Sequence, residues 1–214
     1  MLFRPFMCSP ERHKVPALYR RLRHPIFASF RMRPIFAQHT LAEHSALQRW
    51  VRGRRQVVEI GVAEGGSALA LREAMAPDGT LYLIDPFHLS RFKWINASRR
   101  AAASAVSRSP NGSVRWIKEF SFHAVRNWTE QIDFLFLDGD HDEQVVRQDW
   151  ETWHPFVRRG GIVSFHDARV FANGWPAPGD GPVRVVNCLF READTPEWAI
   201  VDEVDSIVFV QRAT

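Results

Sequence analysis

The chain has 214 residues, 45% of them hydrophobic and 24% charged, a balance that suits one large α/β domain with an N-terminal extension. Its two cysteines, Cys8 and Cys188, are far apart and suggest neither a disulfide framework nor a cysteine zinc site. No apolar run approaches the roughly 18 residues needed to cross a bilayer, and the first residues lack the long apolar core of a secretory signal, so a cytoplasmic location is expected.

The net charge of +4 is unevenly spread. Residues 1–55 carry twelve Lys and Arg against Glu11 and Glu43, whereas the rest carries sixteen against twenty-two acids. Only three of the 28 basic residues are Lys, which favours a compositional bias toward arginine. The alternative is a basic arm that meets an anionic membrane surface, a phosphorylated substrate or a partner subunit. Arg20, Arg21, Arg23 and Arg52, Arg54, Arg55 form clusters without any nucleic-acid-binding module beside them, so nucleic acid is not expected as a partner.

Residues 1–36 are punctuated by Pro5, Pro10, Pro16, Pro25 and Pro34 and are expected to be an irregular extension, with a short helical turn at 17–23; residues 37–214 form the main domain. Residues 40–51 read as a helix capped by Thr40. Residues 56–60 are a strand running into a glycine turn, 67–75 a helix ended by Pro77-Asp78-Gly79, and 80–84 the next strand. Residues 91–107 are helical in composition, and 114–118 form a third strand. A short helical connection at 121–127 leads to a fourth strand at 134–137. A helix at 142–156 lies in the segment that Gly160-Gly161 closes before a fifth strand at 162–165. A Gly/Pro-rich loop at 172–182 is followed by a helix at 183–190. Two strands joined at Asp205, 198–204 and 206–212, make a hairpin. Alternating strands and helices predict a doubly wound, mostly parallel seven-stranded sheet with that antiparallel hairpin at the C-terminal end.

Two segments carry the chemistry. In the first, Glu59-Ile60-Gly61-Val62-Ala63-Glu64-Gly65-Gly66-Ser67 joins a strand to a helix start. Glycines there allow a tight turn and close approach of a ligand to the helix N-terminus. The spacing is neither GxGxxG nor GxxxxGK[ST], which disfavours dinucleotide binding and a phosphate-cradling P-loop. Asp85, ending the next strand, is placed to accept hydrogen bonds from two ribose hydroxyls, and Pro86 borders the same space. In the second segment, the fourth strand opens onto Asp138, Asp140, His141 and Asp142, and the fifth onto His166 and Asp167. Carboxyl ends of parallel strands are where ligands bind. His141 and His166 are candidate general bases, because imidazole titrates near neutral pH; Asp140 and Asp142 suit turn and helix-cap roles. Trp150 and Trp153 are expected to pack on the sheet, and Trp175, in the Gly/Pro-rich loop, either packs or contacts substrate.

An acidic residue followed by x-G-x-x-x-G, here Glu59, Gly61 and Gly65, resembles the first motif of the class I S-adenosylmethionine-dependent methyltransferases. The stretches DGDHDEQVVRQDW and RRGGIVSFHD resemble a branch of that superfamily containing small-molecule O-methyltransferases and cephalosporin hydroxylase-like proteins. The resemblance covers residues 57–168. It implies a Rossmann-like methyltransferase fold and S-adenosylmethionine held by Glu59, Gly61, Ala63, Glu64, Gly65, Asp85, Pro86 and Asp138. It also implies methyl transfer to a hydroxyl of a small-molecule acceptor, a sugar or specialised metabolite; Asp138 and the candidate bases His141 and His166 are then the expected catalytic residues. In metal-dependent relatives the matching strand ends hold Mg²⁺; here those positions are Asp138, His166 and Asp167. A histidine in that set suits Mn²⁺, Fe²⁺ or Zn²⁺ better than Mg²⁺, or no metal at all. Two rivals stand beside this reading: an enzyme of the same fold with different chemistry, and a non-catalytic binding or scaffold protein using its basic arm. A homo-oligomer is compatible with each.

Overall fold

The computed structural model describes residues 6–7, 25–32, 34–87, 96–193 and 195–214. In chain order these form β1 (Phe6–Met7), α1 (Pro25–Ser29), β2 (Ile35–Phe36), α2 (Leu41–Val51), β3 (Gln56–Ile60), α3 (Gly66–Ala74), β4 (Thr80–Ile84), α4 (Ala97–Val106), β5 (Ser113–Ile117), α5 (Ser121–Ala124), β6 (Ile132–Leu137), α6 (Glu143–Trp153), β7 (Val157–Phe165), α7 (Gly181–Asn187), β8 (Trp198–Val204) and β9 (Ile207–Arg212). Short 3₁₀ turns extend α5 and α6, and a π-helical turn, Cys188–Glu192, extends α7. Among the described residues no helix is long and apolar enough to cross a membrane.

The main sheet has seven strands in the order β5-β4-β3-β6-β7-β9-β8. β9 alone runs against its neighbours β7 and β8; the other pairs are parallel. The central strands are buried on both faces, as parallel strands under two helical layers must be. On one face Val58, Ile60, Leu135, Leu137, Val163 and Phe165 meet Trp150 and Trp153 of α6 and Val185 and Val186 of α7. On the other, Val57, Leu81, Leu83, Phe134 and Phe136 meet Leu47 of α2, Leu71 of α3 and Ala102 of α4. In α6 the buried positions Val146, Trp150 and Trp153 recur at helical spacing, which gives one apolar stripe. Asp142 caps that helix by accepting from Gln144 N. A wholly buried aromatic such as Trp153 contributes roughly 3–5 kcal/mol.

Two local expectations are corrected, and a third lies partly outside the described residues. β7 starts at Val157 and not at residue 162, so Gly160 and Gly161 lie inside the strand and not before it. Gly160 has φ of +68° and the β6–β7 register shifts between Ile132 and Phe134, so the pair sits at an irregularity of the ladder, where glycine takes the left-handed backbone without steric cost. The α4 helix starts at Ala97, where Asn96 accepts from Arg99 N; its expected start at residue 91 lies outside the described residues, as does the turn at 17–23. The segment before residue 37 is not irregular throughout. Its described part holds α1 and the parallel β1–β2 pair, with Ala28 and Ile35 buried.

Candidate active site at the carboxyl ends of the parallel strands

Register brings the candidate residues together. Ile60 pairs with Ile84 and with Leu137, and Leu137 with Phe165. The next residue on each strand is therefore Gly61, Asp85, Asp138 and His166, side by side along one sheet edge. The chain leaves β3 toward β4 on one side and returns to β6 on the other, so this edge contains the switch point where α/β sheets open a crevice.

A cavity of about 160 Å³ lies there, lined by Gly61, Val62, Ala63, Glu64, Gly66, Ser67, Asp85, Asp138, Gly139, Phe36 and Gln38. Gly61 has φ of +86°, and a Cβ on it would sit 2.1 Å from the carbonyl oxygen of Asp138. Only glycine satisfies both demands. Asp85 shapes the turn from the opposite wall: it accepts from Val62 N (2.9 Å) and Phe87 N (2.6 Å). Of the expected contacts, Gly61, Ala63, Glu64, Asp85 and Asp138 line this cavity. Glu59, Gly65 and Pro86 do not. Glu59 is fully buried one layer below, where it accepts from Ser67 Oγ; burial pushes its carboxyl well above the usual range. Gly65 is the left-handed cap of α3, and Pro86 flanks Asp85 outside the lining.

Beside the cavity, and sharing Asp138 with it, is the acid–histidine cluster. His166 is buried; its Nδ1 lies 2.9 Å from Asp138 Oδ1 and 3.4 Å from Asp167 Oδ2. Both carboxylates are off the N–H direction, since neither ring nitrogen has a hydrogen-bond partner; the contacts are electrostatic. Burial opposes charge on His166, yet the charge of Asp138 and the nearby Asp167 and Glu43 raise its pKa well above the usual value. His141, 56% exposed, places Nε2 3.2 Å from Asp167 Oδ2, and that contact raises its pKa. Burial would raise the pKa of Asp167, but His141, His166 and Trp175 bring it well below the ordinary value. Trp175 donates its indole N–H to Asp167 Oδ1. Asp167 itself is held at φ of +53°, a conformation that costs a non-glycine residue on the order of 1 kcal/mol or more.

The donor set fits a divalent cation. One atom each of Asp138, His166 and Asp167 lie within 4.8 Å of one another, and the buried Nδ1 between the two carboxylates lacks a hydrogen-bond partner. A nitrogen donor suits Mn²⁺, Fe²⁺ or Zn²⁺ better than Mg²⁺. Asp140 and Asp142 hold the loop, as turn and cap acids: Asp140 accepts from Asp142 N at 2.9 Å. Sequence reasoning missed Phe36, Gln38 and Glu43. No motif marks the first two. Thr40-x-x-Glu43 announces a capping box, but not that its carboxylate approaches His166 (3.9 Å).

Comparisons with known proteins agree with this fold. A family model described as a methyltransferase domain matches residues 58–168. Uncharacterized protein R132 of Acanthamoeba polyphaga mimivirus is 33% identical over 116 residues, 51% of this chain and 50% of that protein; the match thus spans about half the length of this curated relative. The O-methyltransferase TomG of Streptomyces achromogenes, involved in tomaymycin synthesis and solved with S-adenosylmethionine, superposes with a TM-score of 0.62 at 18% identity, over 89% of this chain and 88% of that one. An O-methyltransferase from Bacillus cereus, solved with S-adenosylhomocysteine, does so with a TM-score of 0.57 at 20% identity, over 82% and 83%. The family match covers half of the chain and takes in the strand ends that carry Gly61, Asp85, Asp138 and His166; the chain belongs to the methyltransferase-domain family.

Proposed function

We propose that this protein is an S-adenosylmethionine-dependent O-methyltransferase acting on a hydroxyl of a small molecule. The observation that carries this reading is that Asp138 belongs both to the glycine-turn cavity and to the Asp138–His166–Asp167 cluster. A cofactor site and a site able to activate a hydroxyl are therefore in contact. When bound, the cofactor would supply a sulfonium methyl group, and a cation on the cluster would supply positive charge that lowers the pKa of the acceptor hydroxyl.

The chain's own residues supply the rest. The backbone at the start of α3 faces the cavity, and a helix N-terminus favours a carboxylate there. Asp85, already fixed by three backbone amides, is placed to accept from ribose hydroxyls. His141 Nε2 faces Asp167, which leaves Nδ1 to take the proton that the acceptor oxygen loses as its bond to the methyl carbon forms and the carbon–sulfur bond breaks. Proximity in such a site accounts for much of the acceleration.

Isothermal titration of the full chain with S-adenosylmethionine should show one site per chain; folded protein that binds none would sink the cofactor assignment. Turnover is followed by mass spectrometry, because a reaction of different chemistry would not yield an acceptor heavier by one methyl group. His141→Asn should lower kcat about 10²–10⁴-fold with the cofactor affinity intact. An unchanged kcat would remove His141 from the reaction.

A further inference from the structure

Glu43 lies outside the family-matched residues 58–168 and is fully buried, which is uncommon for a carboxylate unless it is well paired. As the third residue of α2 it closes a capping box with Thr40: Oε2 accepts from Thr40 N (2.6 Å), and Glu43 N donates to Thr40 Oγ1 (3.1 Å). Oε1 accepts from Ser206 N (2.8 Å) and Ser206 Oγ (2.6 Å) in the β8–β9 turn. Thr40 Oγ1 in turn donates to Asp205 Oδ2 (2.6 Å). The carboxylate is thus pinned between two elements distant in sequence, with no freedom to swing away.

What it is pinned against is the rear of His166. Oε2 stands 3.9 Å from Nε2, while Nδ1 on the other side of the ring faces Asp138 and Asp167. At 3.9 Å Glu43 acts by charge and not through a direct hydrogen bond. With a cation held between Asp138 and Asp167, Nδ1 must turn its lone pair to the metal, and the ring proton then sits on Nε2, where the buried Glu43 charge favours it. Metal-binding histidines are commonly set in this way, by a carboxylate behind the ring that fixes tautomer and orientation.

We propose that Glu43 is a positioning residue, which presents Nδ1 of His166 to a divalent cation of borderline softness, Mn²⁺, Fe²⁺ or Zn²⁺, held with Asp138 and Asp167. This rests on the cation reading of the cluster given above. It assigns the segment before β3 a part in the site that the matched family core does not contain.

The test is a double-mutant cycle on metal-stripped full-length protein, with Mn²⁺ and Zn²⁺ affinities measured by isothermal titration. Glu43→Gln, close to isosteric, should weaken binding about 10–100-fold. In a His166→Asn background, where an amide oxygen replaces the imidazole, the same change should alter affinity less than about twofold, since coupled residues lose their interaction when one is gone. Equal losses in both backgrounds, or none in either, would overturn the role and leave Glu43 a structural residue. Wild type alone gives a second readout that does not depend on the variant folding. With Zn²⁺ bound, nitrogen NMR should find His166 coordinated through Nδ1 and protonated at Nε2; the opposite tautomer would overturn the proposal. If wild type binds neither ion, this role and the cation reading fall together, while S-adenosylmethionine binding, titrated separately, stands or falls on its own.

Discussion

At the scale of single residues, the site is governed by buried charge. Asp149 on α6 sits behind the Asp138–Asp142 loop and accepts a hydrogen bond from Ser121 Oγ. Burial pushes its carboxyl up to about 6; the Ser121 contact works against this and the charge of Asp140 adds to it. A carboxyl whose folded pKa exceeds its unfolded value near 3.8 binds its proton more tightly in the native state. Stability should therefore fall as pH rises from about 4 to about 6 and stay level above. Asp149→Asn keeps an acceptor for Ser121 and removes the penalty. Urea unfolding at pH 7.5 should find this variant more stable by about 1–3 kcal/mol, with no difference near pH 3.5. A variant less stable at pH 7.5 would mean that the ionised carboxylate is needed for the loop.

At the scale of elements, strand register and loops divide the work. Parallel strands ending at one level place Gly61, Asp85, Asp138 and His166 in a row. This was legible in advance, because each strand is a short apolar run that stops at a polar residue. The Gly160-Gly161 pair was misread for a related reason. A glycine pair looks like the end of a connection, and only pairing with β6 shows that the strand already includes it. The loop between β7 and α7 brings Trp175 to Asp167, with the indole ring 40% exposed and T-shaped against Phe171 at 5.5 Å. A flat apolar face beside the cluster is suited to the acceptor. Trp175→Ala should raise the acceptor KM about threefold to tenfold, the worth of one aromatic contact, and leave cofactor affinity unchanged. If cofactor affinity falls by the same factor, the tryptophan holds the site together and does not contact the acceptor.

At the scale of the whole molecule, residues before β3 help to wall the cavity at the strand ends. Phe36 N donates to Glu64 Oε2 at 3.2 Å, Gln38 lines the cavity, and Ala37 packs so close to Gly66 that a Cβ there would lie 2.8 Å away. Removing residues 1–40 should lower the melting temperature by several degrees, given about 2–4 °C per kcal/mol for a chain of this size. It should also weaken S-adenosylmethionine binding in calorimetry. A truncated chain that binds as tightly as the full one would confine the cofactor site to the matched core. The basic character of residues 1–55 is a separate matter. Of the described arginines there, Arg49, Arg54 and Arg55 meet Asp202, Gly160 O and Asp78.

The sequence by itself determined the sheet, the glycine turn and the strand-end acids. These are local patterns: apolar runs of strand length, glycines where the backbone must turn, and ionisable residues where the runs stop. Tertiary structure alone decided that Glu59 lies under the cavity and not in it, and that Phe36 and Gln38 form its wall. It also decided that Glu43 stands behind His166. Glu43 and Ser206 are 163 positions apart, and a contact over that distance leaves no trace in spacing or periodicity. It exists because α2 and the β8–β9 turn are packed on the same sheet edge, where a buried carboxylate must find donors and a buried imidazole must find charge.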